Sequence, residues 1–207
     1  MQRTTLTFLL RASVLLLLVA LPQRSFGLTI DFDALADLDA VTNQFPDILF
    51  SNATILTAGI SLNEFEFPPK SGSNVVFDDG GPMTLSFLTP VLGVSGFFTY
   101  LSPLTLSAFD SGGNLLASLS SAFANNMALS GDGGSSPNEL LGFSGLGPIG
   151  SLTIAGDASG GSFVADNITF TPATTAVPEP GTVMLVGSGL LALLGRRLLQ
   201  RRSAIHS

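Results

Sequence analysis

Oxygen-bearing side chains lie at both ends of the stretch between residues 28 and 172, in a pattern that suits a metal ion. Asp31 and Asp33 alternate along the first predicted strand, so their carboxylates share one face, and Asp166 precedes Asn167 in the last predicted strand. Carboxylate and amide oxygens from several short segments are ligands that Ca²⁺ prefers. These four residues predict a structural Ca²⁺ site if the first and last strands are neighbours. The alternative is that the acids are simply solvated.

A second acidic pair, Glu64 and Glu66, alternates with Phe65 and Phe67. On a strand, this spacing places both carboxylates on one face and both rings on the other. Paired carboxylates are the machinery of glycoside hydrolases, but same-face acids are also typical of a solvated strand. The only histidine is His206, in the tail, and cysteine is absent, so a catalytic triad lacks its base within the body. The sequence favours a protein that is not an enzyme, and a glycoside hydrolase is the least favoured function.

Sugar binding usually needs exposed aromatic faces, and the chain has no Trp and a single Tyr, Tyr100. The sixteen Phe are expected to fill the core. A lectin-like, carbohydrate-binding module stays open as an alternative function, acting through Asp and Asn side chains and Ca²⁺.

The charges are divided unevenly between the body and the ends. Seven of the eight basic residues lie in the terminal segments, whereas residues 28–172 contain fourteen acids and one base, Lys70, for a formal charge of −13. Nucleic-acid binding depends on clustered Lys and Arg, so nucleic acid is excluded as a partner. The two ends need a separate explanation.

The body is predicted to be all-β, a single antiparallel β-sandwich of jelly-roll type, because short runs of Val, Ile, Thr and Phe alternate with Gly, Ser, Asn and Asp clusters. Turns are expected at residues 78–81, 110–114 and 157–161, and one helical turn near 34–39. The predicted strands are 28–32, 48–51, 54–57, 75–77, 83–88, 91–100, 104–109, 115–120, 139–143, 151–155 and 162–170.

The N-terminal segment has the three parts of a secretory signal peptide. Arg3 and Arg11 precede an apolar run at residues 12–21, which Pro22 ends, and small side chains follow up to Gly27. Ten apolar residues are too few to span a bilayer, which needs roughly twenty. We expect signal peptidase to cleave after Gly27 and the body to be exported.

The C-terminal segment has a similar tripartite order. After a linker at residues 173–177 come Pro178, Glu179 and Pro180, then an apolar run at 182–194, then Arg196 and Arg197. Thirteen helical residues cover only about 20 Å of a hydrocarbon core of roughly 30 Å, so we expect a marginal, temporary transmembrane helix. The arginines stop this helix on the cytoplasmic side, which leaves the body outside the cytoplasm.

This order resembles the PEP-CTERM sorting signal of Gram-negative bacteria that make exopolysaccharide. The resemblance implies that an exosortase, a membrane-embedded cysteine transpeptidase, reads Pro178, Glu179 and Pro180 and cuts nearby. Two prolines keep such a segment extended and free of helical hydrogen bonds, which suits a protease substrate.

The body also resembles the jelly-roll, galactose-binding-like sandwiches often found ahead of such signals, in its run from 61 to 100 and its hairpin at 104–120. The resemblances together imply an exported protein, transiently anchored in the membrane and then at the cell surface or in the extracellular matrix. Its expected role is structural or adhesive, in contact with exopolysaccharide. The predicted divisions are a signal peptide (1–27), the body (28–172), a linker (173–177), the sorting signal (178–202) and a tail (203–207).

Overall fold

The computed structural model describes residues 27–173 and, beyond them, the helical residues Gly187, Gly189 and Leu190. Within this described part of the chain, no helix is long and apolar enough to cross a membrane. Of the predicted transmembrane helix at 182–194, the described residues include only Gly187, Gly189 and Leu190, and residues 1–26 of the predicted signal peptide lie outside the described part of the chain. So do Pro178, Glu179, Pro180, Arg196 and Arg197.

The body is all-β, as predicted, and residues 27–173 belong to one compact unit of the chain. Its strands pair antiparallel into one sheet. They are β1 (Leu28–Ile30), β2 (Ile48–Ser51), β3 (Ala53–Thr57), β4 (Asn74–Asp79), β5 (Met83–Tyr100), β6 (Thr105–Phe109), β7 (Leu115–Ser120), β8 (Glu139–Ala155) and β9 (Gly160–Pro172).

Two of these strands are longer than the sequence predicts. The two runs predicted within residues 83–100 form one strand, β5, and the two within 139–155 form one strand, β8. The pairing of β5 with β8 shifts register between Ser86 and Val91, so the predicted break is a bulge in a continuous strand. Pro90 lies in this bulge, where its missing N–H costs no ladder hydrogen bond.

The sheet is organised around β5. Along residues 91–100, β5 pairs with β8 and β9, and along residues 83–87 it pairs with β2 and β8. Within residues 27–173 the strand order is β3-β4-β9-β5-β8-β6-β7, with β1 added to β9 and β2 added to β5. Leu28 of β1 lies opposite Phe170 of β9, so the first and last strands are neighbours, as expected.

Both halves of β5 face the same hydrophobic core. Leu85 from the first half and Phe98 from the second are 0% and 1% exposed and belong to one cluster. Phe32, Phe163 and Phe170 are also fully buried there. The sheet must therefore bend back over its own core, as a β-sandwich requires.

The predicted hairpin between β6 and β7 is confirmed. Asp110 Oδ1 accepts hydrogen bonds from the backbone N–H groups of Gly112 (2.8 Å) and Asn114 (2.9 Å), and Gly113 has a φ of 79°. The helical turn predicted near residues 34–39 is wrong. Hydrogen-bonded turns replace it, because Leu38 has a φ of 64°, which a right-handed helix does not allow.

A buried carboxylate joins β4 to β9. Asp78 is 0% exposed and accepts hydrogen bonds from Ser162 N, Ser162 Oγ and Phe163 N, each at 2.9 Å. Register shifts here between Phe77 and Asp79, so these N–H groups bond to the side chain in place of the ladder. Burial raises the pKa of Asp78, while the three donors act in the opposite direction. The residue predicted as part of a turn is thus a structural element of the sheet.

Removal of this carboxylate is expected to destabilise the body. Asp78→Ala leaves two buried backbone N–H groups and one hydroxyl without an acceptor, which should lower the free energy of unfolding by about 2 to 4 kcal/mol. Urea denaturation of both proteins measures the difference. Asp79→Ala is the matched control, since Asp79 is exposed and accepts one hydrogen bond, from Thr54 Oγ1 at 2.9 Å. Equal losses in the two variants would contradict the role of Asp78.

Candidate functional site

Three of the four predicted Ca²⁺ ligands, Asp33, Asp166 and Asn167, lie around one loop, at residues 71–73. Asp33 Oδ1 accepts hydrogen bonds from Ser73 N (2.8 Å) and Asn74 N (3.0 Å). The loop approaches so closely that a Cβ at Gly72 would lie 1.7 Å from Asp33 Oδ2, and Gly72 has a φ of 56°. Glycine is therefore required at position 72.

Asp166 approaches the same loop from β9. It is 1% exposed, its Oδ2 accepts a hydrogen bond from Ser71 N at 2.9 Å, and its Oδ1 accepts one from Asn167 N at 2.6 Å. Asn167 Oδ1 in turn accepts a hydrogen bond from Ser71 Oγ at 2.8 Å. Burial raises the pKa of Asp166 to about 6, and the charge of Asp33 adds to the rise, while N–H donors such as Ser71 oppose it.

The structure therefore brings Asp33, Asp166 and Asn167 together, and we call them, with residues 71–73, the acidic loop site. Asp31 is exposed and accepts a hydrogen bond from Asp33 N at 3.3 Å. Among the residues described, no group of three or more His, Cys, Asp or Glu side chains is placed to hold a metal ion. Ca²⁺ binding at this site stays a prediction.

Glu64 and Glu66 do not share a strand face, so that prediction is wrong. Residues 63–67 form a turn, in which Phe67 N donates to Asn63 O at 2.8 Å. The two carboxylates bond to different segments: Glu64 Oε2 accepts from Gly59 N at 3.2 Å, and Glu66 Oε2 reaches the segment at 129–130. The Leu129 N–H is the main cause of the lowered pKa of Glu66. These acids hold loops in place and do not face each other across a cleft.

The expectation that every Phe fills the core has an exception in the same turn. Phe65 is 71% exposed, because the turn directs Phe65 outward while Phe67 packs beside a small cluster of buried residues. Sequence alternation alone would have placed both rings on the buried side.

A shallow groove that sequence reasoning missed lies on the outer face of β9, β5 and β8. Its volume is about 390 Å³. Two cross-strand rows form the floor. Thr169, Ser95 and Gly142 are paired in the first row, and Thr171, Gly93 and Ser144 in the second. We call this surface the hydroxyl groove.

The hydroxyl groove continues towards β1 and is bordered by apolar side chains. Thr29 of β1 pairs with Thr169, and their hydroxyls are hydrogen-bonded at 2.7 Å. At one end Leu140, which is 61% exposed, lies opposite Phe97. The Lys70 ammonium lies over the Phe97 ring, 4.3 Å from its centroid, in a cation–π contact.

A sequence signal for this groove exists within each strand but not between strands. Gly93-Val-Ser95 and Thr169-Phe-Thr171 alternate small or hydroxyl side chains with large apolar ones, which predicts that the small residues face outward. Only the strand order β9-β5-β8 brings these outward residues into common rows.

Comparison with known proteins identifies one segment of the chain. Residues 176–202 match the PEP-CTERM protein-sorting motif, as the sequence predicted. The search of curated proteins found no match.

The body resembles several solved structures at low identity. One is the K1 cleaved adhesin domain of Lys-gingipain from Porphyromonas gingivalis (10% identity, TM-score 0.41, 72% of this chain and 99% of that one). A second is a DUF4465 family protein from Bacteroides caccae (15% identity, TM-score 0.41, 73% of this chain and 95% of that one). A third is TmCBM61, solved in complex with β-1,4-galactotriose (13% identity, TM-score 0.37, 62% of this chain and 90% of that one).

Asp166 is expected to make the stability of the body depend on pH. Its pKa in the folded protein, about 6, lies above its ordinary value of 3.8, so the folded state binds the proton more tightly. The resulting stabilisation is present below about pH 4 and is lost as the pH rises towards about 6. Asp166→Asn removes this dependence.

Urea denaturation between about pH 4 and about pH 6 measures the free energy of unfolding of the wild type and of Asp166→Asn. The difference between the two values cancels the contribution of the other acids, which titrate in both proteins. The free energy of unfolding of the wild type should fall relative to that of Asp166→Asn as the pH rises. Asp110→Asn is the control, because hydrogen bonds from Asn114 lower the pKa of Asp110, so the wild type should not lose stability relative to this variant as the pH rises. A constant difference between wild type and Asp166→Asn would refute the assignment.

Proposed function

Because the chain carries a PEP-CTERM sorting motif, we propose that it is an exosortase-processed protein of the cell surface or extracellular matrix, with a structural or adhesive role in exopolysaccharide. The observation that carries this proposal is the motif at residues 176–202. The motif implies an exported protein that its C-terminus anchors transiently at the membrane and that an exosortase processes. The final destination in the matrix is part of the proposal.

The arrangement of the two ends supports export. Arg3 and Arg11 before a short apolar run suit a signal peptide that signal peptidase removes. Arg196 and Arg197 after the C-terminal apolar run favour the cytoplasmic side, and so leave the body on the opposite side of the membrane. Both ends therefore favour the same topology.

The chemistry of the body supports a role without catalysis. Its acids serve as hydrogen-bond acceptors for loops and strand ends: Asp78 binds residues 162–163, Asp166 binds Ser71, and Glu66 binds residues 129–130. The only histidine, His206, lies outside the body, so these acids have no imidazole partner there. We infer that the protein is not an enzyme.

A structural Ca²⁺ ion at the acidic loop site is a further part of the proposal. Support comes from the proximity of Asp33, Asp166 and Asn167 and from the body charge of −13, which a cation would reduce. Titration calorimetry with millimolar Ca²⁺ should give a heat of binding and a raised melting temperature in the wild type. Both should disappear in Asp33→Asn. The absence of both in the wild type would remove Ca²⁺ from the proposal.

The sorting motif itself is expected to be required for processing. Replacement of Pro178, Glu179 and Pro180 by alanine allows the segment to become helical and removes the recognised side chains, so the protein should keep its C-terminal tail. Intact-mass analysis of membrane, surface and medium fractions is the measurement. Most of the wild type should lack the tail, and most of the variant should retain it in the membrane fraction.

The matched control replaces Thr174 and Thr175, in the preceding linker, by alanine, and it should be processed as the wild type is. If the wild type keeps its full C-terminal tail in every fraction, exosortase processing is wrong. If the tail is removed but the protein is absent from the matrix fraction, only the matrix role fails.

A further inference from the structure

We propose that the hydroxyl groove binds a neutral polysaccharide chain built of hexose or pentose rings. This inference rests on the proposed function, because it assigns the contact with the matrix to one surface of the body. Three properties of the groove lead to it: an open glycine-containing floor, a regular array of hydroxyl groups, and an apolar border.

The floor lies low because two of its positions have no side chain. A Cβ at Gly142 would lie 2.4 Å from Val94 O and 2.5 Å from Ser95 Cβ, and a Cβ at Gly93 would lie 3.1 Å from Phe143 O. The strands are thus too close for a side chain at position 142. Glycine at positions 93 and 142 lets β5 and β8 approach closely, and the groove over these two rows has a volume of about 390 Å³, which is within the usual size of small-ligand sites.

The hydroxyl groups repeat in two directions. Neighbouring strands are about 4.8 Å apart, and outward residues along one strand are about 7 Å apart, so Ser95, Ser144, Thr169 and Thr171 form a regular array. A hydroxyl is both a donor and an acceptor, as are the hydroxyls of a sugar. Such an array therefore complements a polymer that presents hydroxyls at repeated spacing.

The apolar border supplies the second kind of contact that a sugar ring needs. Leu140 and Phe97 lie opposite each other at one end of the groove, and Leu140 is largely exposed. The C–H groups of a pyranose ring pack on apolar side chains while its hydroxyls bond to the array. Lys70, over the ring of Phe97, extends this border and adds an N–H donor.

Charge decides which class of polymer the groove suits. None of the described residues that line the groove is charged; Lys70, at its border, is the one base of a body with a formal charge of −13. A polyanion would be repelled by this field, and a polycation would find no carboxylate in the groove lining. An uncharged polysaccharide avoids both penalties.

Affinity gel electrophoresis of the full-length protein tests the proposal, in a detergent that has no sugar headgroup. The gels contain a panel of neutral polysaccharides (glucans, galactans, mannans and xylan), and alginate serves as the anionic comparison. We expect retardation by at least one neutral polysaccharide and none by alginate. Retardation by alginate alone, or by no member of the panel, would overturn the proposal.

Variants assign the binding to the groove. Ser144→Trp fills the second row and should weaken binding at least tenfold. Ser118→Trp is the matched control, because Ser118 is an exposed strand serine on β7, away from the groove, where its hydroxyl bonds to Ser107 Oγ at 2.8 Å. It should bind as the wild type does. Thr171→Val, which removes one hydroxyl at nearly constant volume, should weaken binding by about fivefold.

Far-UV circular dichroism and thermal melts establish that each variant is folded, and Thr171→Val keeps the test decisive if Ser144→Trp does not fold. Binding that survives in both groove variants, or a groove that only a protein partner or a second copy of this chain occupies, would overturn the proposal. These outcomes leave the processing of the sorting motif and the recovery of the protein in the matrix fraction unaffected. Failure of the groove and failure of the proposed function are therefore distinguishable.

Discussion

The hydrogen bond from a backbone N–H to a carboxylate is the interaction on which the rest of the body depends. Residues 28–172 contain fourteen acids and one base, so ion pairs cannot neutralise most of the carboxylates. Backbone N–H groups take the place of basic side chains. Asp78 bonds to two of them at the bulge between β4 and β9, Asp33 to two where the loop at 71–73 joins β4, and Asp110 to two in the hairpin. Hydrogen bonds to a charged acceptor are stronger than neutral ones, so each acid fixes a turn or a strand end.

The acids that bond to backbone N–H groups therefore contribute to the stability of the body. Glu64 and Glu66, which look like a catalytic pair in the sequence, accept hydrogen bonds from loop N–H groups, and the groove on β9, β5 and β8 is lined by hydroxyl, glycine and apolar residues. The sorting motif, which implies transient anchoring at the membrane, is a separate segment at residues 176–202. The net charge of −7 is thus the sum of an acidic body at −13 and basic, apolar ends at +6.

The sequence predicted the features that depend on neighbouring residues better than those that depend on contacts between distant strands. The strands at 48–51 and 115–120 have the predicted bounds, and the Asp110 hairpin forms as expected, because alternation and turn chemistry are local. The break predicted near Pro90 is a bulge in the continuous strand β5, because residues on both sides of it pair with neighbouring strands. The break predicted within 144–150 lies in the continuous strand β8, which pairs with β5 at Ser144 and again at Ile149. The prediction that Glu64 and Glu66 share a strand face was wrong for the opposite reason. Alternation indicated a strand, but the fold offers these carboxylates loop N–H groups at residues 59 and 129–130 instead.

The sequence by itself determined the all-β class, the acidic character of the body and the sorting motif. Composition, alternation and a short linear motif can each be recognised without knowledge of which strands are neighbours. Only the tertiary structure decided that Asp33, Asp166 and Asn167 meet around one loop, and that Thr169, Ser95 and Gly142 form one row. These groups come from segments tens of residues apart. Their proximity depends on strand order and register, which the packing of both halves of β5 against one core selects.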